Sequence, residues 1–104
     1  MAERDGKIDS KVIHFLDVLK KKYKIHSAYI YGSYSKGNSE AWSDIDVAVV
    51  STDFSENTFD ERLKLMKIAA TIDDRIEPYP FRIEDFEGNN PLVSEIKKHG
   101  IQVS

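Results

Sequence analysis

A chain of 104 residues, 40% apolar and 32% charged, has room for one hydrophobic core and none for a separate substrate domain. Its formal charge of −3 gives no general attraction to nucleic acid, and the lack of cysteine excludes disulfides, thiolate metal sites and a cysteine nucleophile. No apolar run approaches the roughly 20 residues that span a bilayer, and the polar start Met1 to Lys7 is unlike a signal peptide, so a single cytoplasmic domain over residues 1–104 is expected, with no membrane contact.

In chain order, residues 1–8 read as flexible, with Asp9 or Ser10 capping a first helix. Val12, Ile13, Leu16, Leu19 and Tyr23 recur at helical spacing and carry it to about Lys24. Ser27 to Tyr31, rich in aromatic and β-branched residues, reads as a short strand ending at Gly32-Ser33. Tyr34 to Ser43 holds Gly37, Asn38 and small polar residues and reads as an ordered loop or short turn. Asp44 to Val50 is the second strand, and the unbroken apolar run Val47-Ala48-Val49-Val50 puts it in the middle of a sheet.

A polar connection, Ser51 to Asn57, leads to a second amphipathic helix from Thr58 to about Ile72, carried by Phe59, Leu63, Met66, Ile68, Ala69 and Ile72. Arg75 to Arg82 is a third strand, which Pro78 and Pro80 confine to a sheet edge or keep short. Asn90-Pro91 opens a third helix with Leu92, Val93 and Ile96 facing inward and Gly100 closing it. Ile101-Gln102-Val103 adds a last short strand. The order α-β-β-α-β-α-β predicts an α/β fold, a small mixed sheet flanked by helices. The link between the first two strands is too short for a helical crossover, so they should pair antiparallel.

The chemistry concentrates at Asp44-Ile45-Asp46. On a strand, both carboxylates project to one face while Ile45 enters the core. Such a pair needs a cation or a proton to relieve its repulsion, and hard oxygen donors suit Mg²⁺ completed by water and phosphate oxygens. Gly32 lets the backbone approach a ligand, the Ser33 hydroxyl can donate to phosphate oxygens, and Lys36 could reach the same anion or point into solvent. Glu77, within the third strand, is the best candidate for a third carboxylate; Asp73 and Asp74 read as the turn that ends the helix. This is a layout for two-metal phosphoryl transfer.

Other features read as ordinary structure. Lys20 to Lys22 and Lys97-Lys98 are solvated helix faces. His14, His26 and His99 lack ligand-like spacing. Tyr29, Tyr31, Phe54, Phe59 and Phe81 are core candidates, and Tyr34 and Trp42 read equally as base-stacking or as packing under the loop.

Gly32-Ser33, followed by Asp44-Ile45-Asp46 running into Val47 to Val50, resembles the signature of the DNA-polymerase-β-like nucleotidyltransferase superfamily and its palm fold. The short chain, Tyr34-Ser35-Lys36-Gly37, Ile76 to Phe81 and the tail from Asn90 to Ile101 are similar to its minimal nucleotidyltransferase branch. The resemblance implies that Asp44 and Asp46 bind Mg²⁺, with two ions in the site. Gly32 and Ser33 would hold the triphosphate of ATP or another nucleoside triphosphate.

Glu77 would stand at a third acidic position that often holds aspartate, as metal ligand and hydroxyl activator. The activity implied is transfer of a nucleoside monophosphate, AMP in the first instance, to an acceptor hydroxyl. The implied partner is a small helical HEPN-type toxin that this antitoxin would adenylylate on tyrosine. A rival reading is a non-catalytic antitoxin with a vestigial nucleotide pocket. A polymerase extending nucleic acid is disfavoured by the acidic balance and the lack of template-binding regions.

Overall fold

The computed structural model describes residues 6–32, 44–88 and 90–104, with side chains from Ser10 onward. Its elements are α1 (Gly6–Lys20), β1 (Ile25–Tyr31), β2 (Ile45–Ser51), α2 (Thr58–Ala70), β3 (Ile76–Phe81), α3 (Ile83–Glu87), α4 (Pro91–His99) and β4 (Ile101–Gln102). The strands form one mixed sheet in the order β3-β2-β1-β4. β1 runs antiparallel to both β2 and β4, whereas β2 and β3 are parallel. The predicted α/β class, the central place of β2, the antiparallel β1–β2 pair and the edge position of the proline-bearing β3 all hold.

Alternation along the strands sorts the molecule into layers. Ala28, Ile30, Ile45, Val47, Val49 and Ile76 point to one face, where they pack with Val12, Phe15, Leu16 and Leu19 of α1 and Leu65 and Ala69 of α2. Tyr29, Tyr31, Ala48, Val50, Tyr79 and Phe81 point to the other, against Phe86 of α3 and Val93 and Ile96 of α4. β2 is therefore apolar on both faces, as its unbroken run required. Where α3 and α4 cover the far half of β2, at Ala48 and Val50, its first residues remain outside that cluster.

Several local expectations shift. α1 begins at Gly6, upstream of the expected cap, and stops at Lys20 rather than Lys24. Tyr23 lies beyond the helix, its ring edge-on to Phe54 with centroids 5.3 Å apart. α3 was not foreseen; with five residues and one buried side chain, Phe86, it is too short to show a period.

The buried face of α2 differs most. Phe59 is 72% exposed, and Leu63 and Met66 are exposed too, while Glu61, Leu65 and Ala69 are buried and Ile68 and Ile72 pack at their side. An acidic residue on the inner face disguised the register. The Glu61 carboxylate is satisfied there by the Ser55 backbone N–H at 3.0 Å. Leu92 of α4 is likewise exposed, leaving Val93 and Ile96 as its buried pair. At both helix starts an asparagine caps: Asn57 Oδ1 accepts the Asp60 N–H at 3.0 Å, and Asn90 Oδ1 accepts that of Leu92 at 2.8 Å.

Candidate active site

The register of the three longer strands builds the site. Asp46 is the direct partner of Tyr31 on one side and of Glu77 on the other. Residues opposite each other in a ladder point to the same face, so Asp46 and Glu77 stand on neighbouring strands, whose backbones are about 4.8 Å apart. That face is the one carrying Ala48, Val50, Tyr79 and Phe81, at the end not reached by the α3–α4 cluster. Asp44, just before β2 and two residues from Asp46, is exposed, whereas Asp46 and Glu77 are half-buried.

Gly32 closes the site from the β1 side. It follows β1 with a φ of +76°, a backbone conformation that glycine adopts without steric cost. A Cβ at Gly32 would lie 2.5 Å from Asp46 Oδ2. The glycine is thus required twice, by its torsion and by the carboxylate beneath it. Ser33, Lys36, Tyr34 and Trp42 lie outside the described residues.

The electrostatics follow from burial and crowding. Loss of solvent around Asp46 pushes its carboxyl above the usual range, and the charges of Asp44 and Glu77 push it further, against the opposing pull of Arg62. The same setting raises two phenols. Burial, then Asp46, pushes up the Tyr31 hydroxyl, and burial, then Asp46, that of Tyr79. These rings lie together, with centroids 6.0 Å apart.

Arg62, which sequence reasoning passed over, is the basic member of the group. From α2 its Nη2 reaches Glu77 Oε2 at 3.3 Å, and its Nε donates to the Pro78 carbonyl at 3.3 Å. Its Cζ lies 4.4 Å from the centroid of the Tyr79 ring. No local spacing pattern marks this arginine; only the packing of α2 beside β3 brings it to the carboxylates.

The donor set suits a hard divalent ion in part. Asp46 on β2 and Asp44 just before it offer carboxylate oxygens near enough for the Asp44 charge to act on Asp46, and Mg²⁺ commonly takes one or two carboxylates together with substrate phosphates. An incoming cation would also relieve the repulsion that burdens Asp46. Among the described residues, however, no three His, Cys, Asp or Glu side chains converge into a ready metal cluster. Glu77 adjoins Asp46 but is engaged by Arg62.

A family model described as "Polymerase beta, Nucleotidyltransferase" matches residues 14–104. The chain belongs to this nucleotidyltransferase family. A Methanocaldococcus jannaschii protein named as a provisional protein adenylyltransferase is 42% identical over 53 residues, covering 48% of this chain and 50% of the relative. The matched stretch therefore spans half the length of that relative.

Among solved structures, a toxin–antitoxin complex with AMP-PNP matches at a TM-score of 0.66 and 26% identity, over 92% of this chain and 72% of the other. The structure of a tri-AMPylated Shewanella oneidensis HEPN toxin in complex with an MNT antitoxin matches at a TM-score of 0.58 and 25% identity, over 92% of this chain and 68% of the other. The nucleotidyltransferase thus shares its fold with chains from nucleotide-bound and toxin-bound assemblies. None of its described helices is long and apolar enough to cross a membrane.

Proposed function

We propose that this nucleotidyltransferase moves AMP from ATP to a hydroxyl, with Asp44 and Asp46 as Mg²⁺ ligands and Glu77 as the third acidic group of the site. The observation that carries the reading is the strand register that sets Asp46 beside Glu77, with Asp44 two residues away and Gly32 against the Asp46 carboxylate. Bound Mg²⁺, as two ions, would offset the triphosphate charge and lower the pKa of the attacking hydroxyl. Ser33 and Lys36, in the stretch that follows Gly32, are proposed to hold the triphosphate, as their residue types and spacing suggest.

In the transfer, the acceptor oxygen forms a bond to the α-phosphorus as the bond to the pyrophosphate oxygen breaks. Pyrophosphate departs with its electron pair, and the hydroxyl proton passes to a carboxylate, for which Glu77 is the candidate. Burial and the neighbouring acids make further anionic charge on this face costly, as the raised Asp46 carboxyl and Tyr31 and Tyr79 phenols record, so a bound cation would ease it.

The acceptor is proposed to be a tyrosine on a small helical HEPN-type toxin, making the chain a cytoplasmic antitoxin. Support comes from the tri-AMPylated toxin in one structural relative and from the adenylyltransferase name of another. The test is incubation with α-labelled ATP, Mg²⁺ and the co-purified helical partner, beside an Asp44→Ala/Asp46→Ala control. Labelled partner tyrosine, lost in the control, is the expected result. Toxin neutralised without label would overturn the transfer and favour a purely steric antitoxin, and label unchanged in the control would overturn the role of the two aspartates.

A further inference from the structure

We infer that Arg62 is a resident counter-cation of the carboxylate site, holding Glu77 in the absence of a divalent ion and competing with an incoming ion for that side chain. The inference rests on the reading of Asp44 and Asp46 as a cation-binding pair and adds to it a residue that sets how readily the ion is taken.

Three contacts place the guanidinium. Its Nη2 meets Glu77 Oε2 and its Nε meets the Pro78 carbonyl, both at 3.3 Å, while its plane is anchored over Tyr79 with Cζ 4.4 Å from the ring centroid. A planar fork suits this combination of carboxylate, carbonyl and aromatic face; a lysine ammonium could satisfy only part of it.

The Pro78 contact follows from the fold. β3 is an edge strand paired with β2 alone, and α2 packs against it. Arg62 takes a carbonyl on that strand, and its reach is set by the helix rather than by the site. It is therefore held beside the carboxylates, not drawn in by Glu77 alone.

The guanidinium thus sets its charge beside Glu77, which stands opposite Asp46 in the ladder, where an entering divalent ion would set its own. A divalent ion or a hydroxyl proton taken by Glu77 Oε2 would displace its 3.3 Å pair with Arg62. Both side chains retain some exposure, 36% for Arg62 and 26% for Glu77, so the pair is weak enough to exchange.

The experiment is a Mn²⁺ titration of the full chain without nucleotide, following free Mn²⁺ by its paramagnetic resonance signal. Wild type, Asp46→Asn, Arg62→Gln, Arg62→Lys, Glu77→Gln and the Arg62→Gln/Glu77→Gln pair are compared, with thermal melts to establish folding. Arg62→Gln should bind Mn²⁺ about two- to fivefold more tightly than wild type, and Arg62→Lys should show a smaller gain if the Gln variant does not fold. In the Glu77→Gln background the Arg62 substitution should add little.

If Asp46→Asn binds like wild type, or wild type does not bind, the cation-pair reading fails and the inference with it. If that reading stands while Arg62→Gln binds equally or more weakly, the inference alone is overturned. An equal gain in both backgrounds would overturn the competition for Glu77.

Discussion

Gly32 and Asp46 touch so closely that a methyl group on the glycine would lie 2.5 Å from the aspartate's Oδ2. Gly32 also holds a φ of +76°, where an L side chain costs about 1–2 kcal/mol. Gly32→Ala should therefore lower the melting temperature and push the Asp46 carboxylate off its position. A displacement of about 1 Å at a reacting centre can cost on the order of a hundredfold in rate. Label transfer measured beside the thermal melt checks both effects. Wild-type transfer in Gly32→Ala would show that the carboxylate does not need this seat.

Asp46 should make the metal-free protein less stable at neutral pH. Its folded carboxyl titrates above the ordinary aspartate range, chiefly through burial and then through Asp44 and Glu77. The folded state thus keeps a proton that the unfolded chain has already released. Stability is full below the unfolded pKa and declines as pH rises through the folded one. Asp46→Asn should accordingly melt higher than wild type at pH 7 in chelator, with the gap closing below about pH 4. Added Mg²⁺ should raise the wild-type melting temperature and leave the variant unmoved. A variant that melts lower at pH 7 would contradict this sign.

How far the sequence revealed the site depended on which contacts are local. Asp44 and Asp46 stood out as candidates through their spacing at the mouth of an apolar strand, and Gly32 through its place at a strand end, where the structure gives it a positive φ. Their neighbour Glu77 was found by its place in an edge strand, although only the parallel register makes it Asp46's partner. Arg62 was not legible. It lies 15 residues from Glu77, and its approach depends on how α2 sits along β3. The α2 face was misjudged for a related reason: Glu61 is buried by a hydrogen bond to the Ser55 backbone N–H that no hydrophobic period records.

Asp73 is the opposite case to Asp46. Buried in the turn after α2, it accepts from Arg75 through the backbone N–H at 2.9 Å and the guanidinium at 3.0 and 3.2 Å, and Lys11 of α1 approaches at 3.2 Å. Hydrogen bonding from the Arg75 side chain, aided by its backbone and Lys11, holds the carboxyl well below the usual range despite its burial. A depressed folded pKa contributes stability above the unfolded value, lost as pH falls through the acid range. Asp73→Ala should cost about 2–3 kcal/mol at pH 7, measured by urea unfolding. The gap to wild type should narrow steadily toward pH 2. A loss independent of pH would assign the effect to packing rather than to charge.

The two leucines of α2 offer a direct test of which side of that helix faces the core. Leu65 is fully buried among Phe15, Val47 and Ile76 in the same cluster, whereas Leu63 is 43% exposed. Truncating a buried leucine removes transfer energy and leaves a cavity, so Leu65→Ala should cost about 2–5 kcal/mol. Leu63→Ala removes little buried surface and should stay within about 0.5 kcal/mol of wild type. Chemical denaturation of the two variants under identical conditions distinguishes them. The reverse ordering would return α2 to the face expected from Phe59, Leu63 and Met66, and Arg62, next to Leu63 in the chain, could then no longer lie against Glu77 as described.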